Sequence, residues 1–345
     1  MKNIFAVAAA YAAALIGAGF ASGQETLSFF VKYGKSGIFG IMLSAVIFGI
    51  FAAAVLCGCV MTRSESYGDY LSHFLGNKMK RVTEAVTFFF SIAVFCVMAS
   101  CCGEMGSMIF GIKRFWGSLF LCYVCGIIMT FKTDSALNIN AALGGALVIG
   151  IITCCLYLLR YREHQAFSGG ASMLVSSVSY SGYNLLTAAA VLCPLSTRLK
   201  TRSDAYLASF AGAFALFAIM TLMWGLLGIY YGKIPLGEIP VLTLAMRENR
   251  AIAAVYSVIL FLAVFSTALS NGIGAVNIIG EKMGRKYAAA LICASGFLCS
   301  SVGFSSLVNN LYRFCGYIGI FFCILVIFKY INTIKTAKKE EKRSK

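Results

Sequence analysis

The chain has 345 residues, of which 60% are hydrophobic and only 12% charged, with a mean hydropathy of +0.84 and a formal net charge of +16. A soluble domain carries about 25% charged residues, and apolar runs of about 18 residues or more recur here, so the composition excludes a water-soluble enzyme and points to membrane-spanning helices. The runs are continuous rather than alternating, which excludes a β-barrel, and the basic residues lie in short links and a tail, which argues for membrane topology rather than nucleic-acid binding.

The first apolar run covers about 4–31. As one straight helix it would measure about 40 Å, more than the ~30 Å of a bilayer core. LIGAGFASGQE, Leu15 to Glu25, interrupts it: Gly17, Gly19 and Gly23 fall close together, with Ser22, Gln24 and Glu25 beside them. A purely anchoring span would be plain aliphatic here, so the stretch reads as a break in a membrane helix and as the binding site. The Met1-Lys2-Asn3 start resembles a signal peptide with a cleavage-like Ala21-Ser22-Gly23, but the many spans that follow make this the first, uncleaved helix. A second run covers about 37–61, and TRSESYGDYLSHFLGNKMKR after it reads as an amphipathic interfacial helix. The third run, about 82–109, is long and carries Glu104; the fourth and fifth cover about 116–131 and 138–160, followed by the charged link RYREHQ. The sixth run, about 169–193, is interrupted by SYSGYN, Ser179 to Asn184. The seventh covers about 204–231, and the link GKIPLGEIPVLTLAMRENR has room for a short helix. The eighth, about 250–279, contains FSTALSNGIG; the ninth covers about 286–303; the tenth, about 305–332, contains Arg313.

The expected fold is all-α and polytopic: a single transmembrane domain over 1–333 with about ten helices, and a charged cytoplasmic tail over 334–345. With the N-terminus inside, the inner links and tail hold 19 Lys and Arg and the outer links 9, which places both termini in the cytoplasm and the chain in the plasma (inner) membrane. Divided at RYREHQ, the chain forms two five-span halves, about 4–160 and 169–332, in opposite orientation. The first span of each half is interrupted and the third is long. Paired interruptions in corresponding spans point to an inverted-repeat transporter with broken helices 1 and 6. The competing reading is that these glycines serve close helix packing.

This organisation resembles the amino acid–polyamine–cation (APC) transporter superfamily with its LeuT-type 5+5 fold, and GAGFASGQE more narrowly resembles the YkvI-type bacterial membrane proteins. The resemblance implies that broken helix 1 offers backbone N–H groups of Gly17, Ala18, Gly19, Ser22 and Gly23 to an anionic group such as a carboxylate. It implies that broken helix 6 offers Tyr180, Ser181, Gly182, Tyr183 and Asn184 to an amine or the solute body, the two tyrosines closing over it. In sodium-coupled members an ion sits between helix 1 carbonyls and a helix 8 pattern of Ala, two residues, then two hydroxyl residues. Ala263-Val264-Phe265-Ser266-Thr267 matches that pattern, with Ala13 and Ile16 as the helix 1 partners. Hydroxyl and carbonyl oxygens suit a hard cation; the competing reading is that Ser266 and Thr267 bond carbonyls of their own helix. Proton-coupled relatives place a Lys from helix 5 near this position, and segment 5 has none, which favours Na+ as coupling ion. No other cofactor is expected.

Charges inside membrane helices are functional hypotheses by default. Glu25 and Arg313 are expected to pair as an outer gate, or Glu25 to bind a substrate amine, with Glu104 an alternative partner for Arg313. The competing reading is a snorkelling Arg and a lip-exposed Glu. The fourteen cysteines lie mostly in apolar runs, and neither His73 nor His164 stands at ligand spacing from a Cys pair, so no disulfide and no thiolate metal site is expected. No catalytic triad or phosphate loop is present, so the chain is not expected to be an enzyme. The expected function is sodium-coupled secondary active transport of an amino acid or similar small solute. The alternatives are a proton-coupled permease of the same fold and a nutrient receptor using the same site.

Overall fold

The computed structural model describes residues 1–64, 66–131, 136–159 and 173–343. Every element among them is helical. The link RYREHQ, the predicted seam between the halves, lies outside the described residues.

Helix 1 is built in three pieces, α1 (Lys2–Leu15), α2 (Ala18–Ala21) and α3 (Gln24–Phe29), followed by a 3-10 stretch over Val31–Ser36. Then come α4 (Gly37–Thr62), α5 (Tyr67–Phe110), α6 (Arg114–Thr130) and α7 (Ala136–Leu158). After the seam follow α8 (Met173–Ser196), α9 (Arg202–Tyr230), the short α10 (Pro240–Glu248) inside the proline-bearing link, α11 (Arg250–Met283) and α12 (Arg285–Cys299). The last span begins as α13 (Phe304–Leu307), passes through a π-helical turn at Val308–Tyr312 and continues as α14 (Arg313–Arg343) into the charged tail.

Helix starts follow local chemistry. Thr201 and Asp204 form a reciprocal capping box at α9, and the Asn249 side chain accepts from the N–H groups of Ala251 and Ile252 at α11. Gly76, at φ 76°, separates the first turns of α5, the predicted interfacial helix, from its apolar length.

Among the described residues, Val31–Thr62, Arg81–Phe110, Arg202–Tyr230, Arg250–Gly280 and Phe304–Lys335 are long and apolar enough to cross a membrane. The expected number of about ten is not reached on that measure. The first helix is cut into pieces of 14, 4 and 6 residues, α6 has 17, and α8 is diluted by serines and tyrosines.

The predicted break in helix 6 is corrected: α8 runs without interruption through Ser179–Asn184. Several of its polar side chains bond within the helix, while Ser179 donates across to Arg313 O at 3.1 Å. Ser177 donates to Met173 O at 2.9 Å, Ser181 to Ser177 O at 2.9 Å and Asn184 to Tyr180 O at 3.1 Å. Gly182 serves close packing. A Cβ there would fall on the Gly316 carbonyl of α14, and Cβ atoms on Gly316 and Gly319 would fall on the Ser179 and Gly182 carbonyls. Three glycines thus let the backbones of α8 and α14 touch, and α8 packs most extensively against α14 and α4.

Candidate functional site

The break in helix 1 is present and double. Ile16 leaves helical geometry at φ −85°, ψ 81°, and Gly17 is extended at φ −90°, ψ −175°. The last carbonyls of α1 and the first N–H groups of α2 are thereby released from helical pairing. A second bend falls at Gly23, whose φ of 82° is left-handed and costs glycine nothing. Between the bends, Ser22 Oγ donates to Gly19 O at 2.6 Å and accepts from the Gln24 N–H at 3.1 Å. Two other elements hold this backbone in place: the Val241 N–H of α10 donates to Ser22 O at 3.1 Å, and the Tyr256 hydroxyl of α11 donates to Ala21 O. Half-buried Gly17 has nothing within 4 Å of its Cβ position, so open space adjoins the break there.

Glu25 is 5% exposed. Its carboxylate folds back onto α2, with Oε1 occupying the place where a Cβ on Gly19 would begin. Oε2 is buried and has no hydrogen-bond partner. The phenols of Tyr180, Tyr183 and Tyr312 are close enough to sense this charge. The Tyr183 hydroxyl turns toward the carboxylate without completing a hydrogen bond of normal geometry. Tyr183 stacks on Tyr312 at 4.7 Å between centroids and meets Tyr180 edge-on at 5.5 Å, and Phe29 lies 5.4 and 5.8 Å from Tyr180 and Tyr183. A carboxylate with a free oxygen therefore stands against a wall of aromatic rings.

Both expected gate pairs are corrected. Arg313 Nη2 donates to Ser28 O at 3.2 Å, and its guanidinium lies 5.5 Å from the centre of the Phe29 ring, so it is engaged away from Glu25. Glu104 belongs instead to Arg114, whose Nε is 2.6 Å from Glu104 Oε2 and whose Nη1 is 3.9 Å from Glu238 Oε1. The reason is local: the turn at Gly111 ends α5 and brings the start of α6 back beside Glu104. From Glu238 the polar chain continues inward. Its Oε2 accepts from the Ser305 N–H at 2.6 Å, and Ser305 Oγ accepts from Gln24 Nε2 at 2.6 Å. Helix 1 is thus tied at Gln24 to the start of α13, to the link before α10 and to the α5–α6 turn.

Of the predicted solute residues, Gly17, Ala18, Gly19, Ser22 and Gly23 lie together at the break. From helix 6, Tyr183 turns its hydroxyl toward Glu25 and Tyr180 packs edge-on against Tyr183, whereas Ser181 and Asn184 bond within α8 and Gly182 faces α14. Of the predicted sodium residues, Ala263 and Ser266 are buried in α11, and the Ser266 hydroxyl donates to Ala263 O at 3.1 Å. Ala263 and Thr267 lie about two and three turns beyond Tyr256 on the same face of α11, the face that meets α2 at Tyr256. Ile16 is buried and Ala13 half-buried. Phe29, Tyr312, Glu238, Arg114 and Tyr256 were not foreseen. An acid in a long outer link was a usable signal for Glu238, and the polar tip of Tyr312 beside Arg313 was another; nothing in the sequence marks Tyr256.

No family model matches the chain. In sequence it is similar to the uncharacterized membrane protein YkvI of Bacillus subtilis (strain 168), 24% identical over 322 residues that span 90% of this chain and 92% of that one. In structure it is similar to Mhp1 in an inward-facing conformation, with a TM-score of 0.63 at 13% identity over 95% of this chain and 76% of that one. It is also similar to a Na+-coupled sialic acid symporter in a substrate-bound outward-open state, with a TM-score of 0.62 at 12% identity over 94% of this chain and 78% of that one. The chain has the fold of the LeuT-type transporters, and in sequence it resembles the YkvI-type membrane proteins along nearly its whole length.

Proposed function

We propose that the protein is a secondary active transporter that moves a small zwitterionic or cationic solute, of the size of an amino acid, by alternating access around the break in helix 1. The observation that carries this reading is the twice-bent, buried helix 1. Its backbone groups are released from helical pairing, and the unpaired Glu25 and Tyr183 stand beside it, in a fold shared with Mhp1 and a Na+-coupled symporter. Gly17, Ala18, Gly19, Ser22 and Gly23 form one side of the solute site, and Tyr180 and Tyr183 the other. The protein is an inner-membrane transporter with both termini in the cytoplasm, and not an enzyme.

Sodium is the coupling ion in this reading. In it the carbonyls of Ala13 and Ile16 at the end of α1 and the α11 residues Ala263, Ser266 and Thr267 supply the ion's ligands. The Ser266 proton is committed to Ala263 O, which leaves the hydroxyl lone pairs for a cation. A proton-coupled permease is the second reading, favoured by the unpaired Glu25 carboxylate. Uptake of labelled solute into proteoliposomes tests both. A Na+ gradient is expected to drive uptake, and a Ser266→Ala/Thr267→Ala variant to require at least tenfold more Na+. Uptake that follows a proton gradient and ignores Na+ selects the second reading. Solute binding without flux overturns transport and makes the protein a receptor.

A further inference from the structure

Glu25 presents an unusual combination. Its carboxylate is 5% exposed, one oxygen is packed against Gly19, and the other is buried without a partner. The ion pairs among the described residues are made by Arg114, and Arg313 is engaged by Ser28 O and Phe29. Among the described residues no cation pairs with Glu25. A carboxylate buried without compensation costs several kcal/mol or more, so the site is built to receive a proton donor or a cation. The wall opposite is made of ring faces and phenols, Tyr183 stacked on Tyr312, with Tyr180 and Phe29 behind them. Such faces attract an organic ammonium, and Tyr183 Oη has an unused lone pair. The place where the family resemblance implied a ligand carboxylate, beside the N–H groups around Gly19, is taken by the chain's own Glu25. A second carboxylate there would meet like charge.

We propose that the solute is an organic amine, held through its ammonium by Glu25 and the Tyr183–Tyr312 face, and that the helix 1 break does not read a carboxylate on the solute. This rests on taking the break as the solute site. Open space at Gly17 is where the remainder of the amine lies.

The test uses matched pairs, each an amino acid and the amine left when its carboxylate is removed: phenylalanine and phenethylamine, tyrosine and tyramine, lysine and cadaverine, arginine and agmatine. Binding is measured by calorimetry on the purified full-length protein in detergent. At least one amine is expected to bind tenfold or more tightly than its parent amino acid. Glu25→Gln is expected to weaken that amine at least tenfold, and Glu25→Asp to recover part of the loss. Tyr312→Leu, which keeps the charge and removes the ring face, is expected to weaken it several-fold, and it carries the test if Glu25→Gln does not fold. Amino acids binding more tightly than their amines, no amine binding at all, or amine affinity unchanged in Glu25→Gln each overturn the proposal. Loss of pH-dependent uptake in Glu25→Gln at unchanged amine affinity assigns Glu25 to the proton and likewise overturns it. Amine binding of the expected pattern without uptake in proteoliposomes overturns the transporter reading and leaves the amine site standing.

Discussion

Gly182→Ala separates the two roles a glycine can play in the sixth span. A Cβ at this position would overlap the Gly316 carbonyl and lie 2.7 Å from Ile320 N and 3.0 Å from Gly316 C, where ordinary contacts are 3.4–4 Å. These are backbone atoms and cannot rotate aside, so α8 and α14 must part by roughly 1 Å or shift along one another. Gly316 and Gly319 close the same seam against Ser179 O and Gly182 O, so the parting is felt along the whole crossing. Overpacking of this kind costs about 1–3 kcal/mol. Alanine returns up to about 1 kcal/mol through its better helix propensity, which leaves an expected net loss of about 1–2 kcal/mol. The assay is thermal unfolding in detergent at a fixed scan rate, because irreversible unfolding makes the apparent midpoint rate-dependent. A fall of a few degrees is expected, with solute affinity per folded molecule retained. A raised midpoint together with lost binding would refute the packing argument, because it is what a flexible break at Gly182 predicts.

Gly19→Ala places its Cβ on Glu25 Oε1; since that is the end of a flexible side chain, stability should change by less than about 1 kcal/mol while solute affinity falls at least tenfold, and unchanged affinity would show that the carboxylate position does not matter. Tyr256→Phe leaves the buried Ala21 carbonyl without its donor, an expected cost of about 1–3 kcal/mol seen as a lower unfolding midpoint; an unchanged midpoint would mean the bond contributes nothing. Arg114→Gln removes the partner of Glu104 and Glu238, and because Arg114 is 54% exposed the stability cost should stay at or below about 1 kcal/mol. Its clearer signature is faster amide hydrogen exchange over 234–240, and exchange identical to the parent chain would sink the idea that Arg114 restrains this link.

The helical runs were legible because the solvent imposes them. A hydrocarbon core supplies no hydrogen-bond partners, so each crossing must be a long apolar helix, and α4, α9 and α11 begin within a few residues of the predicted runs. The break in helix 1 was legible for the same reason. Clustered glycines with Ser22, Gln24 and Glu25 have no purpose in a plain anchor, and the left-handed φ at Gly23 is the conformation glycine alone adopts freely. SYSGYN carries a similar composition with the opposite outcome. A glycine flanked by serines suits a break and a close helix contact equally well, and the choice depends on whether another backbone lies alongside. Nothing local in α8 tells that Gly316 and Gly319 will face it from more than a hundred residues away.

Charge pairing shows the same division. That Glu25, Glu104 and Arg313 stand in apolar surroundings is written in the sequence, because burial of charge in a membrane helix is costly enough to mark function. Which charge meets which is a matter of a few ångströms set by turns and crossings. Gly111 folds Arg114 back onto Glu104, Ser28 O holds Arg313, and the bend at Gly23 returns Glu25 to Gly19. The sequence by itself determined an all-helical membrane chain with a broken first span, since both follow from local composition under one solvent constraint. Only the tertiary structure decided that helix 6 runs unbroken through Ser179–Asn184 and that Glu25 meets no cation among the described residues, since those depend on distances between segments far apart in sequence.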